Sequence, residues 1–327
     1  KKLEWLQLAK MVRALVAVQR QLKNWYIVLS RMATLDVQSL NQALPSSWRV
    51  NANEHSAWER LDELIGLTEL KAHIREQVNH LRQQITEGSH SRAPMHLVLT
   101  GNPGTGKTTL ARLIAEIFRE EGLLRRGHLV EVDREKLVAG YVGQTAIKTD
   151  EACRQALGGV LFIDEAYSLA RKEQQDNDFG KEAVDTLIKR MYDWKDQFMV
   201  VLAGYPKPMQ QLLESNPGFE RRIGAQIFIE DYKPEELLEI FELIARKNKR
   251  AIAEDLREIL LRIFAAEYRR KNDKFKNAGI PELLFKNVAQ RHLKRCENHR
   301  LNNLEEPLQC EDLPNEYHVM LTEEAED

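Results

Sequence analysis

Cysteine is scarce in this chain: Cys153, Cys296 and Cys310 are its three thiols in 327 residues, and no two are spaced as C-x-x-C. That scarcity excludes a disulfide-stapled scaffold and a zinc site built on paired thiolates, and it fits a reducing compartment. No apolar run approaches the ~20 residues that a membrane-spanning helix needs, and no secretory leader pattern is present, so a soluble cytoplasmic protein is expected. Net charge is also small, at −2, but the balance hides an asymmetry. Residues 1–50 carry eight Lys/Arg against two acids, whereas residues 301–327 carry nine Asp/Glu and no Lys/Arg. Basic runs at 246–250, 269–271 and 291–295 are interleaved with acids or helical apolar residues and read as solvated helix faces. Nucleic acid binding is possible but not favoured, because no helix-turn-helix or aromatic-basic RNA motif accompanies those runs. The acidic tail folding back on this basic region is a simple way to use both.

What is present is an octapeptide, Gly101-Asn102-Pro103-Gly104-Thr105-Gly106-Lys107-Thr108, that completes G-x-x-x-x-G-K-[ST]. The apolar run 95–100 before it reads as a buried strand, and residues 109–118 after it have helical periodicity, which is the context the motif requires. Glycines let the backbone turn tightly with its N–H groups inward, and the helix starting near Lys107 adds its positive end to the same spot. A triphosphate such as ATP fits there. By motif position Lys107 reaches the β- and γ-phosphates and the Thr108 hydroxyl ligates Mg²⁺. Thr109 closes the nucleotide-binding stretch, although its place suggests helix packing. About 55 residues downstream, the apolar residues 160–163 form a strand that delivers Asp164 and Glu165 at its carboxyl end. Asp164 is then the Mg²⁺ partner and Glu165 the group that polarises the attacking water.

Residues 8, 11, 15, 18, 22, 25, 29 and 32 are apolar, an a/d seam that predicts a long amphipathic helix, followed by a linker at 41–53. Extra apolar residues at Val12, Val16 and Ile27 widen the stripe, leaving packing in a bundle, an intermolecular coiled coil and a membrane surface all open. From residue 57 to about 232 the pattern alternates strand and helix, with strands predicted at 96–100, 128–133, 160–164, 198–203 and 226–230. Pro234 then opens three helical segments, 234–248, 252–270 and 281–296, as a small lid. The expected organisation is an N-terminal helical region to residue 55, an α/β nucleotide-binding domain over 56–232, a helical lid over 233–300, and a largely flexible acidic tail over 301–327.

Four further stretches carry a family resemblance: Leu64-Ile65-Gly66-Leu67, the run Tyr141 to Thr149 beginning Tyr-Val-Gly-Gln-Thr, Phe179 to Leu187, and Val201-Leu202-Ala203-Gly204-Tyr205-Pro206. With the loop and the Asp-Glu pair, they resemble the AAA+ ATPases, and in detail their CbxX/CfqX branch, over about residues 60–300. The resemblance implies a five-stranded parallel phosphate-loop core with a helical lid, and it adds Ile65 and Gly66 to the nucleotide-binding residues. It implies a ring hexamer of identical subunits whose central pore is lined by Tyr141, Val142 and Gly143. A flanking-glycine aromatic can grip extended polypeptide by area burial without demanding a sequence. The stretch Asn216 to Arg222 resembles the segment that presents an arginine finger to a neighbour's nucleotide, with Arg222 aligning best and Arg221 second. Two departures stand out. The strand end that offers a polar sensor in many AAA+ proteins reads Ala203-Gly204-Tyr205. The lid motif that should read G-N-A-R-x-x-R is Lys276-Asn277-Ala278-Gly279-Ile280-Pro281-Glu282, so both arginines are missing and the coupling of hydrolysis to lid rotation is either weakened or supplied by another residue, such as Arg291. The expected function is ATP-driven remodelling or threading of a protein client, against an ATP-switched nucleic-acid machine or a weakly hydrolysing structural subunit.

Overall fold

Continuous apolar runs become strands covered on both faces, as parallel sheets require. The computed structural model describes residues 56–87, 96–141, 143–170, 179–272, 275–299 and 306–317, so the predicted N-terminal helix and Val142 lie outside the described residues. The chain divides into two units, Lys1–Arg60 and Leu61–Asp327, and apart from the short helix Ala57–Asp62, which includes the boundary, the architecture below is that of the second.

Five strands, β1 (His96–Thr100), β2 (Leu129–Val132), β3 (Val160–Ile163), β4 (Met199–Gly204) and β5 (Ile223–Phe228), form one sheet in the order β2-β3-β4-β1-β5. Every pairing is parallel, so all five carboxyl ends lie along one edge. β3 and β4 are buried at every position, whereas the outer strand β5 alternates, with Ala225 and Ile227 inward and Gly224, Gln226 and Phe228 exposed. β5 starts three residues earlier than its apolar pattern predicts. Gly224 is the reason: His96 pairs with Ile223 but Leu97 with Ala225, so the glycine is absorbed as a bulge that leaves the earlier turn in the sheet.

The helices are α1 (Ala57–Asp62), α2 (Thr68–Thr86), α3 (Lys107–Glu120), α4 (Arg134–Leu137), α5 (Gln144–Gln155), α6 (Phe179–Asp193), α7 (Pro206–Glu214) and α8 (Pro217–Glu220), followed by α9 (Pro234–Lys247), α10 (Glu254–Arg269) and α11 (Gly279–His299). α3 carries its apolar stripe on Leu110, Ile114, Ile117 and Phe118, all buried, at the i, i+3, i+4 spacing that turns one face to a core. α9, α10 and α11 close around a separate cluster that includes Leu237, Phe241, Leu260, Phe264, Leu284 and Val288. Phe241 sits at its centre, edge-on to Phe285 at 5.6 Å between ring centroids.

The acidic tail differs from its predicted flexibility over residues 306–317. Leu308 and Leu313 are fully buried in the lid cluster, and Ala253 N–H donates to Leu308 O (3.0 Å). Arg295 on α11 makes a two-point ion pair with the buried Asp312 (2.9 and 3.0 Å), and an Arg291 Nη donates to Leu313 O (3.1 Å). This stretch therefore does fold back on the basic run of α11. Polarity misled the sequence reading because two leucines and one paired carboxylate suffice to dock a short segment.

One buried polar group sits under the sheet. His96 is 1% exposed; its Nδ1 accepts the Val200 N–H (3.0 Å) and its Nε2 faces Met191 O (3.3 Å), which fixes the Nε2–H tautomer. Burial pushes its pKa down from 6.5 to about 4, with the Met191 carbonyl opposing the shift and Arg222 adding to it. The unfolded chain takes up the proton below pH 6.5 and the folded one only near 4. Stability from this group is therefore full above pH 6.5 and is lost as pH falls through that window, by roughly 3 kcal/mol in total. His96→Asn, which keeps an acceptor for Val200, should flatten the dependence of unfolding free energy on pH between 6.5 and 4. Urea titrations of both proteins across that range would measure it, and parallel curves would remove His96 as the cause.

Candidate functional site

Because the strands are parallel, the loops that leave their carboxyl ends converge on one crevice. The loop after β1 is Gly101 to Gly106, and α3 begins at Lys107. Gly104 (φ +71°) and Gly106 (φ +86°) hold the left-handed backbone that curls the loop over the start of the helix, a conformation open to glycine at little cost. The cavity there, of about 360 Å³, is lined by Pro103, Gly104, Gly106, Lys107, Thr108 and Thr109 on one side and by Asp164, Glu165, Gly204 and Tyr205 on the other. Thr109 is exposed and faces this cavity, which corrects its reading as a packing residue. A β-branched hydroxyl one position past the loop still lies on the helix's first turn, where side chains turn back toward the N-terminus.

Lys107 is folded into its own loop: Nζ donates to Gly101 O (2.9 Å) and Asn102 O (2.7 Å). Burial lowers its pKa, with Asp164 and Glu165 pulling the other way. An ammonium parked on loop carbonyls supplies positive charge at the floor of the cavity, and no acidic side chain among the described residues ion-pairs it there. Asp164 follows β3; its N–H donates to Val132 O (2.9 Å), so the neighbouring strand fixes its backbone. Its Oδ1 accepts the Glu165 N–H (3.0 Å). Glu165 has φ +47°, a left-handed conformation that costs a residue with Cβ roughly 1–2 kcal/mol. The reward is direction, because the kink turns its exposed carboxylate into the cavity rather than along the sheet.

Tyr205 precedes α7 and lines the cavity, its ring 5.9 Å from that of Tyr167. It occupies the strand end where a polar sensor was sought. Asn102 and Thr105 belong to the loop but point elsewhere: Asn102 Nδ2 donates to both oxygens of Asp231 (2.9 and 3.1 Å), and the buried Thr105 hydroxyl donates back to Asn102 O (2.9 Å). Ile65 and Gly66 do not line the cavity. Gly66 (φ +63°) lies against the lid, where a Cβ would stand 2.2 Å from Glu236 Oε1 on α9.

Arg222 and Arg221 lie at the far edge of the sheet from this crevice. Arg222 immediately precedes β5, at the amino edge of the parallel sheet, one strand length or roughly 17 Å from the phosphate loop. One Arg222 Nη donates to Gly218 O (2.8 Å), and the guanidinium stands over the Tyr192 ring at 5.4 Å. Arg221 beside it is exposed. Tyr141 is 73% exposed on the loop before α5, and a Cβ on Gly140 or Gly143 would meet open space. The base of that loop is held by the buried Thr145, whose hydroxyl accepts the Ala139 N–H (3.0 Å), and by Thr149, which donates to Leu137 O (3.1 Å). A fixed base under a bare aromatic tip is the outcome. Arg291, suggested as a replacement sensor, is turned to Leu313 and Asn315 of the tail segment instead.

The profile of the "ATPase family associated with various cellular activities (AAA)" matches residues 97–230, and that of an AAA lid domain matches 233–323. The chain is 40% identical over 204 residues to the chloroplastic ribulose bisphosphate carboxylase/oxygenase activase of Cyanidioschyzon merolae, covering 61% of this chain and 69% of that protein. The chain belongs to the AAA ATPases. Within them it sides with the CbxX/CfqX branch: it is 49% identical over 190 residues to protein CfxQ of Xanthobacter flavus, covering 57% of this chain and 60% of that one. The match thus spans about three fifths of CfxQ's length. The fold is shared with the ADP-bound AAA domain of FIGL-1, at a TM-score of 0.56 and 20% identity, covering 79% of this chain and 82% of that one. Among the described residues no helix is long and apolar enough to cross a membrane.

The residues that sequence reasoning passed over are Asp231 and Asn277. Asp231 follows β5 by three residues and Asn277 sits in the lid turn that was noted only for its missing arginines. The available signal was Asn277 itself, in the sequence Lys-Asn-Ala-Gly, since asparagine tolerates a left-handed turn better than other side chains; its φ is +48°. The lid backbone here comes so near that a Cβ on Gly104 would stand 2.1 Å from Lys276 O. Gly104→Ala should therefore destabilise the protein by more than Gly122→Ala, which has the same left-handed strain (φ +72°) but open space around it. The control should cost about 1 kcal/mol and Gly104→Ala about 1–3 kcal/mol beyond that, measured by denaturant unfolding. Equal losses would mean that the lid yields freely.

Proposed function

We propose that this AAA protein is an Mg²⁺-dependent ATPase that acts as a homo-hexameric ring and uses hydrolysis to remodel or thread a protein client. The observation that carries the reading is the separation of parts: Lys107, Thr108, Asp164 and Glu165 surround one cavity, while Arg222 stands at the opposite edge of the same sheet. A guanidinium so placed cannot serve its own crevice, which supports a role at a neighbour's.

The residues fit the group they would hold. Loop amides and Lys107 offer donors to the phosphates, and the Thr108 hydroxyl and Asp164 carboxylate are hard oxygen ligands of the kind Mg²⁺ takes. Bound there, MgATP would supply an electrophilic γ-phosphorus. Lys107, already desolvated, exchanges two carbonyl partners for phosphate oxygens at little further burial cost. Glu165 orients a water and accepts its proton. Arg222, freed from Gly218 and Tyr192, neutralises charge in trans, an effect worth about 10³–10⁵ in rate where such fingers have been studied. Tyr141 would present its ring to an extended chain, since area burial needs no sequence code. Its similarity to the Cyanidioschyzon merolae protein, an activase of a carboxylase, supports a protein client over nucleic acid.

A second reading, a nucleotide-gated structural subunit with slow turnover, is favoured by Gly279 at the position of the first missing lid arginine and by the engagement of Arg291 with the tail. Turnover measurements separate the two. Glu165→Gln should keep nucleotide binding and lose at least about 100-fold in ATPase rate. Wild-type rate should rise steeply with protein concentration as the ring forms, and Arg222→Ala should abolish that rise. A low rate independent of concentration in both proteins would support the structural subunit. Tyr141→Ala should spare ATPase activity while stopping client work, and unimpaired remodelling by that variant would remove the threading part of the proposal.

A further inference from the structure

The lid touches the phosphate loop through hydrogen bonds that no arginine makes. Asn277, fully buried, donates from Nδ2 to Pro103 O (3.1 Å) and to Asp231 Oδ1 (2.9 Å), and its Oδ1 accepts the Tyr232 N–H (2.8 Å). The next residue, Ala278, donates its N–H to Gly104 O (3.2 Å). Asp231 in turn accepts both bonds from Asn102 Nδ2 and has Lys271 Nζ at 3.8 Å. Asp231 and Tyr232 form the hinge between β5 and α9, so three parts of the molecule meet at one carboxylate: the loop through Asn102, the hinge through Asp231, and the lid through Asn277.

The consequence follows from peptide geometry. A trans peptide holds its C=O and N–H on opposite sides, and the described residues contain no cis bond. With the carbonyls of Pro103 and Gly104 drawn toward the lid, the N–H groups of Gly104 and Thr105 are turned the other way, toward the interior of the loop. Those are donors a phosphate-binding loop must aim inward. Left alone, a loop with glycines at 101, 104 and 106 would spread over many orientations, and each would have to be ordered on binding.

We infer that Asn277 is a positioning residue for the nucleotide's phosphates: docked on Pro103 and Asp231, it presets the loop amides, and it ties lid position to phosphate occupancy where the lid arginines are absent. This deepens the nucleotide-binding reading and rests on it. Linkage makes the effect reciprocal, because a ligand that needs the aimed loop also holds the lid down.

The test compares wild type, Asn277→Gly and Phe264→Leu. Glycine keeps the left-handed backbone and the Ala278 contact while removing the side chain; Phe264→Leu loosens the lid core away from the junction. MgADP affinity is measured by calorimetry, and hydrogen exchange is followed in the nucleotide-free proteins. Asn277→Gly should bind MgADP about tenfold more weakly, the loss of hydrogen bonds of which one reaches a carboxylate. Exchange over residues 101–108 should rise several-fold while that over 256–264 stays unchanged. Phe264→Leu should leave both the affinity and the loop exchange within twofold of wild type. Asn277→Asp, which keeps the acceptor for Tyr232 but sets a carboxylate against Asp231, should weaken MgADP binding at least as much. Unchanged affinity and loop exchange in a folded Asn277→Gly protein would overturn the inference, as would equal losses in Asn277→Gly and Phe264→Leu, which mark a purely structural role. Failure of the wild type itself to bind MgADP or MgATP would overturn the nucleotide reading instead, and the exchange comparison would still decide whether the junction holds the loop.

Discussion

Everything at the site depends on five strands running the same way. Parallel pairing puts the phosphate loop, the Asp164–Glu165 pair and Tyr205 at one edge of the sheet, because each follows a carboxyl end. The same direction puts His96 and Arg222, which precede or open their strands, at the other edge. A single sheet thus separates two kinds of chemistry by a strand length. Its cost is that both faces must be dry, and β3 and β4 meet it with ten residues that are all buried.

Much of this was legible in sequence because it is written in local pattern. Four apolar residues ending in Asp-Glu make a buried strand with a polar end, and G-x-x-x-x-G-K-T makes a turn onto a helix; each can be recognised from residues close together in the chain. Strand β5 was less legible, since Gly224 and Gln226 interrupt its apolar run and pairing with β1 decides the issue. The tail was misread for a related reason. Composition reports average polarity, while docking over residues 306–317 is carried by Leu308, Leu313 and one carboxylate facing Arg295. The junction of Asn102, Asp231 and Asn277 was invisible, because its members lie 129 and 46 residues apart and none belongs to a periodic pattern.

Of the four described non-glycine residues with left-handed backbone, Leu67, Glu165, Lys249 and Asn277, two stand at the site. Glu165 occupies the left-handed region with a full side chain, and Asn277 does so within the lid turn. Left-handed backbone at a residue with Cβ persists only where surrounding contacts over-determine it. For Glu165 those contacts include the Asp164 oxygen on its N–H and the Ser168 N–H on its carbonyl (2.7 Å). For Asn277 they are the four partners of its amide, which come from the loop, the hinge and its own turn. These two stand within reach of the phosphate loop, Glu165 across the cavity and Asn277 behind it.

That arrangement bears on why the lid can lack its arginines. An arginine that reaches a phosphate couples lid to nucleotide only once the nucleotide is bound, because the guanidinium has no partner there before. A lid amide on the loop's own carbonyls acts earlier, on the shape of the empty site. It is also uncharged, so its strength depends on alignment rather than on the nucleotide's charge, and it discriminates weakly between a diphosphate and a triphosphate. Such a lid would hold product nearly as well as substrate. In the proposed ring, discrimination between the two would then rest on Glu165 and on a guanidinium from a neighbouring subunit, which is the role that the position of Arg222 at the far edge of the sheet leaves open to it.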